Sequence, residues 1–167
     1  MKAKLVVEGH EFDIEILDPK LQELITPKKK TGYERLEQGK TFFYQYSDGN
    51  IGSGYDHHNG NINNYFNSAN YYSSETVAEN NVRADKLMRQ LRRFAVEHRK
   101  QNLNWDEGNY KYTIRCRHGY CDLYVAKEIR ERDFGCIWFD SQDAVMQAME
   151  TFYDELIWYF TEYKDSL

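Results

Sequence analysis

Three clusters in the sequence put chemistry-bearing side chains at suggestive spacings. Cys116, His118 and Cys121, followed at a distance by Cys136, read C-x-H-x2-C. Zinc is held tetrahedrally by thiolates and imidazoles, often from knuckles of this spacing. The competing reading is two small apolar residues, Cys116 and Cys121, opposed in a hairpin core with His118 in its turn. It is preferred, because cysteine is among the most buried residue types. A second cluster is Asp56-His57-His58. Adjacent histidines can bind metal or exchange protons near neutral pH. Neighbours in an extended chain point to opposite sides, however, and no Ser or Cys nucleophile stands in pattern with them. The third cluster is basic. Arg83, Lys86, Arg89, Arg92, Arg93, Arg99 and Lys100 face only Asp85 and Glu97 over residues 83–100, a local net charge of +5. Such a helix could track phosphates, with Arg89, Arg92, Arg93 and Lys100 as contacts. It could equally neutralise residues 140–167, where seven carboxylates meet one Lys, and the second reading is favoured. No phosphate-binding glycine loop, dinucleotide fingerprint or HExxH helix is present. No catalytic residue, metal or cofactor is assigned.

The elements that would position these groups can be read from periodicity. Residues 3–8 and 11–17 alternate as a hairpin about Gly9-His10, with Val7 facing Phe12 and Leu5 facing Ile14. Asp18-Pro19 then opens a short helix over 20–25. Lys28-Lys29-Lys30-Thr31-Gly32 reads as a linker. It divides an appendage, 1–30, from a main domain, 31–167. Residues 41–46 form an aromatic strand. Residues 50–70, with seven Asn, read as a long loop around short strands at Ile51–Tyr55 and Tyr65–Phe66. Ser73 or Ser74 caps a long helix running to about Lys100, its apolar stripe including Leu87, Leu91 and Ala95. A second hairpin turning at His118-Gly119 pairs Cys116 with Cys121 and Ile114 with Leu123. A strand over Phe134–Phe139 and a helix from Asp140 or Ser141 to about Tyr163 complete the chain. The fold class expected is α+β: an antiparallel sheet, two long helices and an N-terminal hairpin with a short helix.

Bulk properties narrow the class of function. The chain has 167 residues, 41% of them apolar, which supports a packed core. Net charge is −5, short of a nucleic-acid mimic and of opposite sign to the usual nucleic-acid binder. Three cysteines, a charged N-terminus and no long apolar run point to a reducing cytoplasm and away from membranes. Fourteen Tyr stand out, and six of them, Tyr44, Tyr46, Tyr55, Tyr65, Tyr71 and Tyr72, fall in or beside the Asn-rich stretch. Tyrosine among Asn, Gly and Ser is a recognition composition: rigid amphipathic rings beside adaptable hydrogen bonding. The plainer alternative, rings sealing a sheet edge, stands level with it.

The order of motifs also carries a resemblance. Lys30-Thr31-Gly32-Tyr33-Glu34-Arg35 leads through Gly39-Lys40 to Phe42-Phe43-Tyr44. Then come Asn70-Tyr71-Tyr72-Ser73-Ser74-Glu75, Leu91-Arg92-Arg93-Phe94-Ala95 and Ile137-Trp138-Phe139. Over most of its length the chain resembles a widespread family of small accessory proteins of bacteriophages, prophages and related mobile elements. It departs where the usual pattern has a shorter acidic link and this chain has the loop 56–70. The resemblance brings no functional residue with it. It implies a setting, the infected bacterial cell, and a role in binding a host defence protein. The expectation is therefore a non-enzymatic inhibitor that blocks a CRISPR or other nuclease effector sterically. Its expected contacts are Tyr55, His57, His58, Tyr65, Phe66 and Tyr71, and deleting 56–66 is expected to abolish inhibition without unfolding the chain. The rivals are a nucleic-acid binder using helix 83–100, a sponge that holds a nucleotide between aromatic rings and Arg groups, and a metal-dependent enzyme. A homodimer suits the appendage and the tyrosine surplus without being required by them.

Overall fold

The computed structural model describes residues 2–7, 10–18, 30–100, 103, 108–117, 122–130 and 133–163. The chain divides into two compact units, Met1–Lys30 and Thr31–Leu167. In the first, β1 (Lys2–Val7) and β2 (His10–Glu15) pair antiparallel, and Lys4 and Glu11 form an exposed ion pair at 2.7 Å. The register places Leu5 opposite Phe12 and Val7 opposite His10, two residues from the pairing expected about Gly9-His10. A two-residue slip leaves every side chain on its original face, so alternation alone cannot detect it. The helix expected over 20–25 lies outside the described residues.

The second unit opens with the ribbon β3 (Thr41–Gln45) and β4 (Ile51–Tyr55). Its turn is built by Asp48, whose carboxylate accepts from the Asn50 backbone N–H at 2.9 Å and from its amide at 2.8 Å. Side chains alternate across the ribbon, so Phe42 and Tyr44 share a face with Gly52 and Gly54. A Cβ on Gly52 would sit 2.6 Å from the Tyr44 ring, so glycine is what lets that ring lie across the ribbon. The Asn-rich stretch is no loop around a second strand: Tyr65 and Phe66 belong to α1 (Gly60–Asn67). The Asn59 side chain caps it, accepting from the Ile62 N–H at 3.1 Å, a device that strand propensity ignores.

Next comes α2 (Glu75–Glu97), capped by Ser74, with Ala78, Ala84, Leu87, Leu91 and Ala95 buried along the predicted stripe. It stops short of Lys100, whose backbone N–H donates instead to the Asp140 carboxylate at 2.5 Å. The ribbon β5 (Lys111–Arg117) and β6 (Asp122–Glu128) is again displaced by two residues from the expected register. Cys116 faces Leu123, not Cys121. No strand covers Phe134–Phe139: a turn from Asp133 to Cys136 uses the first half, and Phe139 alone bridges to Tyr112. The single C-terminal helix expected is broken. It comprises α3 (Gln142–Thr151), capped by Ser141, and α4 (Tyr153–Trp158), which runs into a wide π-type turn at Tyr159–Tyr163. The break falls at Phe152, which leaves helical geometry with its ring edge-on to Phe94 at 5.7 Å.

The fold is α+β, with three separate two-stranded antiparallel ribbons in place of one sheet among the described residues. The principal core joins α2, α3 and α4 through Leu87, Leu91, Phe139, Val145, Ala148 and Leu156. No helix among the described residues is long and apolar enough to cross a membrane. The entry to α2 is clamped by Glu34, whose carboxylate accepts from the Gly32 N–H at 3.1 Å and the Ser73 hydroxyl at 2.8 Å. With the Thr31 N–H as the largest influence, these donors lower its carboxyl to about 2. Gly32 has φ of +88°, and a Cβ there would lie 2.5 Å from a Val77 methyl. Gly32→Ala should therefore cost about 2–4 kcal/mol, backbone strain adding to overlap, read as a lower urea midpoint at unchanged slope.

Candidate functional site

The chain after β4 turns around one carboxylate. Asp56 is 0% exposed, and its two oxygens accept from four donors. Arg35 grips it from both ends of its fork, Nε at 2.7 Å and a terminal nitrogen at 3.0 Å. The Tyr71 hydroxyl and the His58 backbone N–H each donate at 2.8 Å. Burial alone would raise the Asp56 carboxyl. The His58 N–H, Tyr71 and Arg35 outweigh it and hold the group below the usual carboxylate range. A buried carboxylate saturated in this way positions its neighbours; it has no lone pair aimed at a substrate.

What it positions is α1. His58 is left-handed, φ +52°, and so is Ala69, φ +56°, so a strained non-glycine residue stands on each side of the helix. His58 is fixed by Asp56 and by its ring Nε2–H, which donates to the Leu36 carbonyl at 2.9 Å. Phe66 meets Tyr71 edge-on at 5.4 Å, and the Arg35 guanidinium lies 5.1 Å from the Phe66 ring centre and 5.3 Å from that of Tyr71. Tyr71 stacks on Phe42 at 4.7 Å, and Tyr65 lies 4.6 Å from Tyr44. The Tyr46 hydroxyl, bonded to that of Tyr44 at 2.9 Å, is the main reason the Tyr44 phenol is raised to about 12. α1 itself contributes no buried residue: Asn61, Asn63, Asn64 and Asn67 are exposed, and Phe66 is 38% exposed.

The six expected contact residues therefore separate. Tyr71 is 2% exposed and belongs to the support, and Tyr65 is half-buried beside it. Phe66 and His58 reach the surface of the same cluster. Tyr55, 63% exposed, lies on the opposite face of the β3–β4 ribbon from Phe42, so it is not part of this surface. His57 is exposed, with no hydrogen bond or ion pair among the described residues. Deleting 56–66 would remove Asp56 and strand Arg35, so it would not leave the fold intact. Arg35 and Phe42, on which the cluster rests, carried no spacing that pointed to Asp56.

The basic helix is answered only in part. Arg83 pairs with Glu155 at 2.8 Å and lies 3.9 Å over the Trp158 ring, which is the expected attraction between opposite helices. Arg93 pairs with Glu97 along its own helix at 2.7 Å. Arg89 and Arg92 are exposed with no carboxylate in ion-pair range among the described residues, and Lys100 lies beyond the helix end. A groove of about 840 Å³ runs between α2, β5 and the C-terminal segment, lined by residues that include Leu91, Cys116, Phe134, Cys136 and Phe160. Its arginines already have carboxylates: Arg115 has Asp133 and Glu128, and Arg117 has Asp122 at 3.9 Å. The groove therefore offers no surplus positive charge to a nucleotide phosphate. His118 and Cys121 lie outside the described residues, and no three His, Cys, Asp or Glu side chains gather among those described. Burial raises the Cys136 thiol above the usual cysteine range. No family model, curated protein or solved structure matches the chain, so the site is read from its own geometry.

Proposed function

We propose that the chain is a non-enzymatic binding protein that holds a protein partner on the outer face of α1, around Phe66 and His58. One observation carries this reading. α1 buries none of its residues and is rich in Asn, a weak helix former, yet strained residues at its flanks and a saturated buried carboxylate hold it in place. Tyr65 and Phe66 seat the helix on the aromatic cluster but leave its Asn-rich face and the edge of Phe66 to solvent, which suits presentation of an aromatic ring among carboxamides. The resemblance to phage accessory proteins supplies the setting. The partner is a host defence factor of the bacterial cytoplasm, such as a CRISPR or other nuclease effector, and inhibition is steric.

Asn63→Ala, Asn64→Ala and Asn67→Ala together test this, because they raise helix propensity while removing the carboxamides. Expression of the wild-type chain should restore plating of a sensitive phage on a host carrying the matching defence system. The triple variant should lose at least about tenfold of that rescue, equivalent to one good hydrogen-bonded contact. Equal rescue by both chains would remove α1 from the interface. The exposed Arg89 and Arg92 favour a second reading, a nucleic-acid surface. It is supported instead if the chain shifts DNA or RNA with a steep salt dependence that Arg89→Glu with Arg92→Glu abolishes.

A further inference from the structure

The hydrogen-bond inventory of the β3–β4 ribbon is one-sided. Asp56 N–H donates to the Lys40 carbonyl at one end, and Tyr46 N–H to the Asn50 carbonyl at the other. Antiparallel pairing alternates, so Gly52 and Gly54 bond inward to β3, and the N–H and C=O of Ile51, Ser53 and Tyr55 point outward. On the β3 side, the outward groups of Phe43 and Gln45 are closed, and only those of Thr41 at the strand's start have no partner among the described residues. Phe43 exchanges both bonds with Tyr72 at 2.9 Å. The Asn70 carboxamide takes the Gln45 N–H at 2.7 Å and gives to the Gln45 carbonyl at 2.8 Å. On the β4 side, the outward groups of Ile51, Ser53 and Tyr55 have no partner among the described residues.

Edge strands are normally blunted by charge, proline or a bulge. The outer strand β6 carries Asp122, Lys127 and Glu128, and β1 and β2 carry charges of both signs. β4 reads Ile-Gly-Ser-Gly-Tyr, with no charge and no proline. We propose that this edge pairs with the same edge of a second copy of the chain, antiparallel about a two-fold axis through Ser53. The occupant follows from the register. With Ser53 opposite the second copy's Ser53, Ile51 falls opposite the second copy's Tyr55, and all three outward residues become hydrogen-bonded pairs at once. An aliphatic–aromatic cross-strand pair forms twice, and two hydroxyls meet at the axis. Ser53 and Tyr55 are exposed, and the glycines at 52 and 54 add no bulk beside the edge. An isologous contact of this kind closes at two copies. The inference does not depend on the function proposed for α1, and it gives the exposed Tyr55 ring a role that α1 does not.

The test is sedimentation equilibrium of the full 20.0 kDa chain over a concentration series, with amide exchange at Ile51, Ser53 and Tyr55. The mass should rise toward twice that of one chain, and the three amides should slow as it does. Ser53→Pro removes the outward N–H and touches no β3–β4 bond. Ser53→Lys opposes two ammonium groups at the axis. Each should weaken association at least about tenfold with an unchanged far-UV spectrum. A wild-type chain that keeps single-chain mass throughout overturns the proposal. So does association that either variant leaves intact. Loss in Ser53→Pro but not in Ser53→Lys would mean that two copies pair along this edge in another register, which overturns the two-fold axis through Ser53.

Discussion

Asp56→Ala will be one of the two most damaging single substitutions in the β3–β4 half of the molecule. It leaves the Arg35 guanidinium, the Tyr71 hydroxyl and the His58 N–H without their common acceptor. Removing one partner of a buried ion pair costs about 3–5 kcal/mol. The Arg35 side chain keeps a quarter of its exposure and recovers some hydration, which places the loss near the lower figure. At roughly 2–4 °C per kcal/mol for a chain of this size, the melting point should fall by about 6–12 °C. The sign with pH is fixed by the depressed carboxyl. Its contribution is complete above the unfolded value near 4 and fades as pH falls through the lower folded value. Urea unfolding at neutral pH and near pH 3 should show the gap between wild type and variant narrowing on acidification. A gap independent of pH would mean that Asp56 acts through its shape and not its charge.

Phe42→Ala is the second, and its effect should be local as well as large. Phe42 is 1% exposed, stacks on Tyr71 at an interplanar angle of 6°, and touches Tyr44 and Tyr65. Truncating a buried Phe costs about 3–5 kcal/mol, part transfer and part cavity. The principal core holds no residue of this aromatic group. α1 has no buried residue of its own, so its order depends on Tyr65 and Phe66 resting against that group. Amide exchange in α1 should accelerate far more than at Leu87 or Leu91 in α2. Equal acceleration in both would show that the two packed regions unfold as one.

How much of this was legible in the sequence depended on the range of the interaction. The α2 stripe is a local pattern and was readable, and the two caps were narrowed to Ser73 or Ser74 and Asp140 or Ser141, of which Ser74 and Ser141 serve. Both misread hairpin registers, at Gly9-His10 and His118-Gly119, moved by two residues, the one displacement that alternation cannot register. The break at Phe152 coincides with its edge-on contact to Phe94, 58 positions earlier in the chain, and no local pattern announces it. The site was legible only in its composition. Tyr65, Phe66 and Tyr71 were singled out as partner contacts, but Tyr65 and Tyr71 mainly support the surface. Burial within the aromatic group decides that, and it comes from Arg35 and Phe42, 21 and 14 residues before Asp56. Tyr55 was grouped with them by proximity along the chain, and the pleat of β4 puts it on the other side.

The Asn70 carboxamide, which stands in for a strand along β3, has a consequence for growth. A ribbon open on both sides can add copies without end, which is how stacked sheets lengthen into fibres. A side chain that satisfies one side stops propagation there, as a cap ends a polymer. Whatever strand joins at β4, growth on the β3 side is stopped at Phe43 and Gln45, and pairing two such ribbons through β4 leaves only the Thr41 end of each β3 open among the described residues.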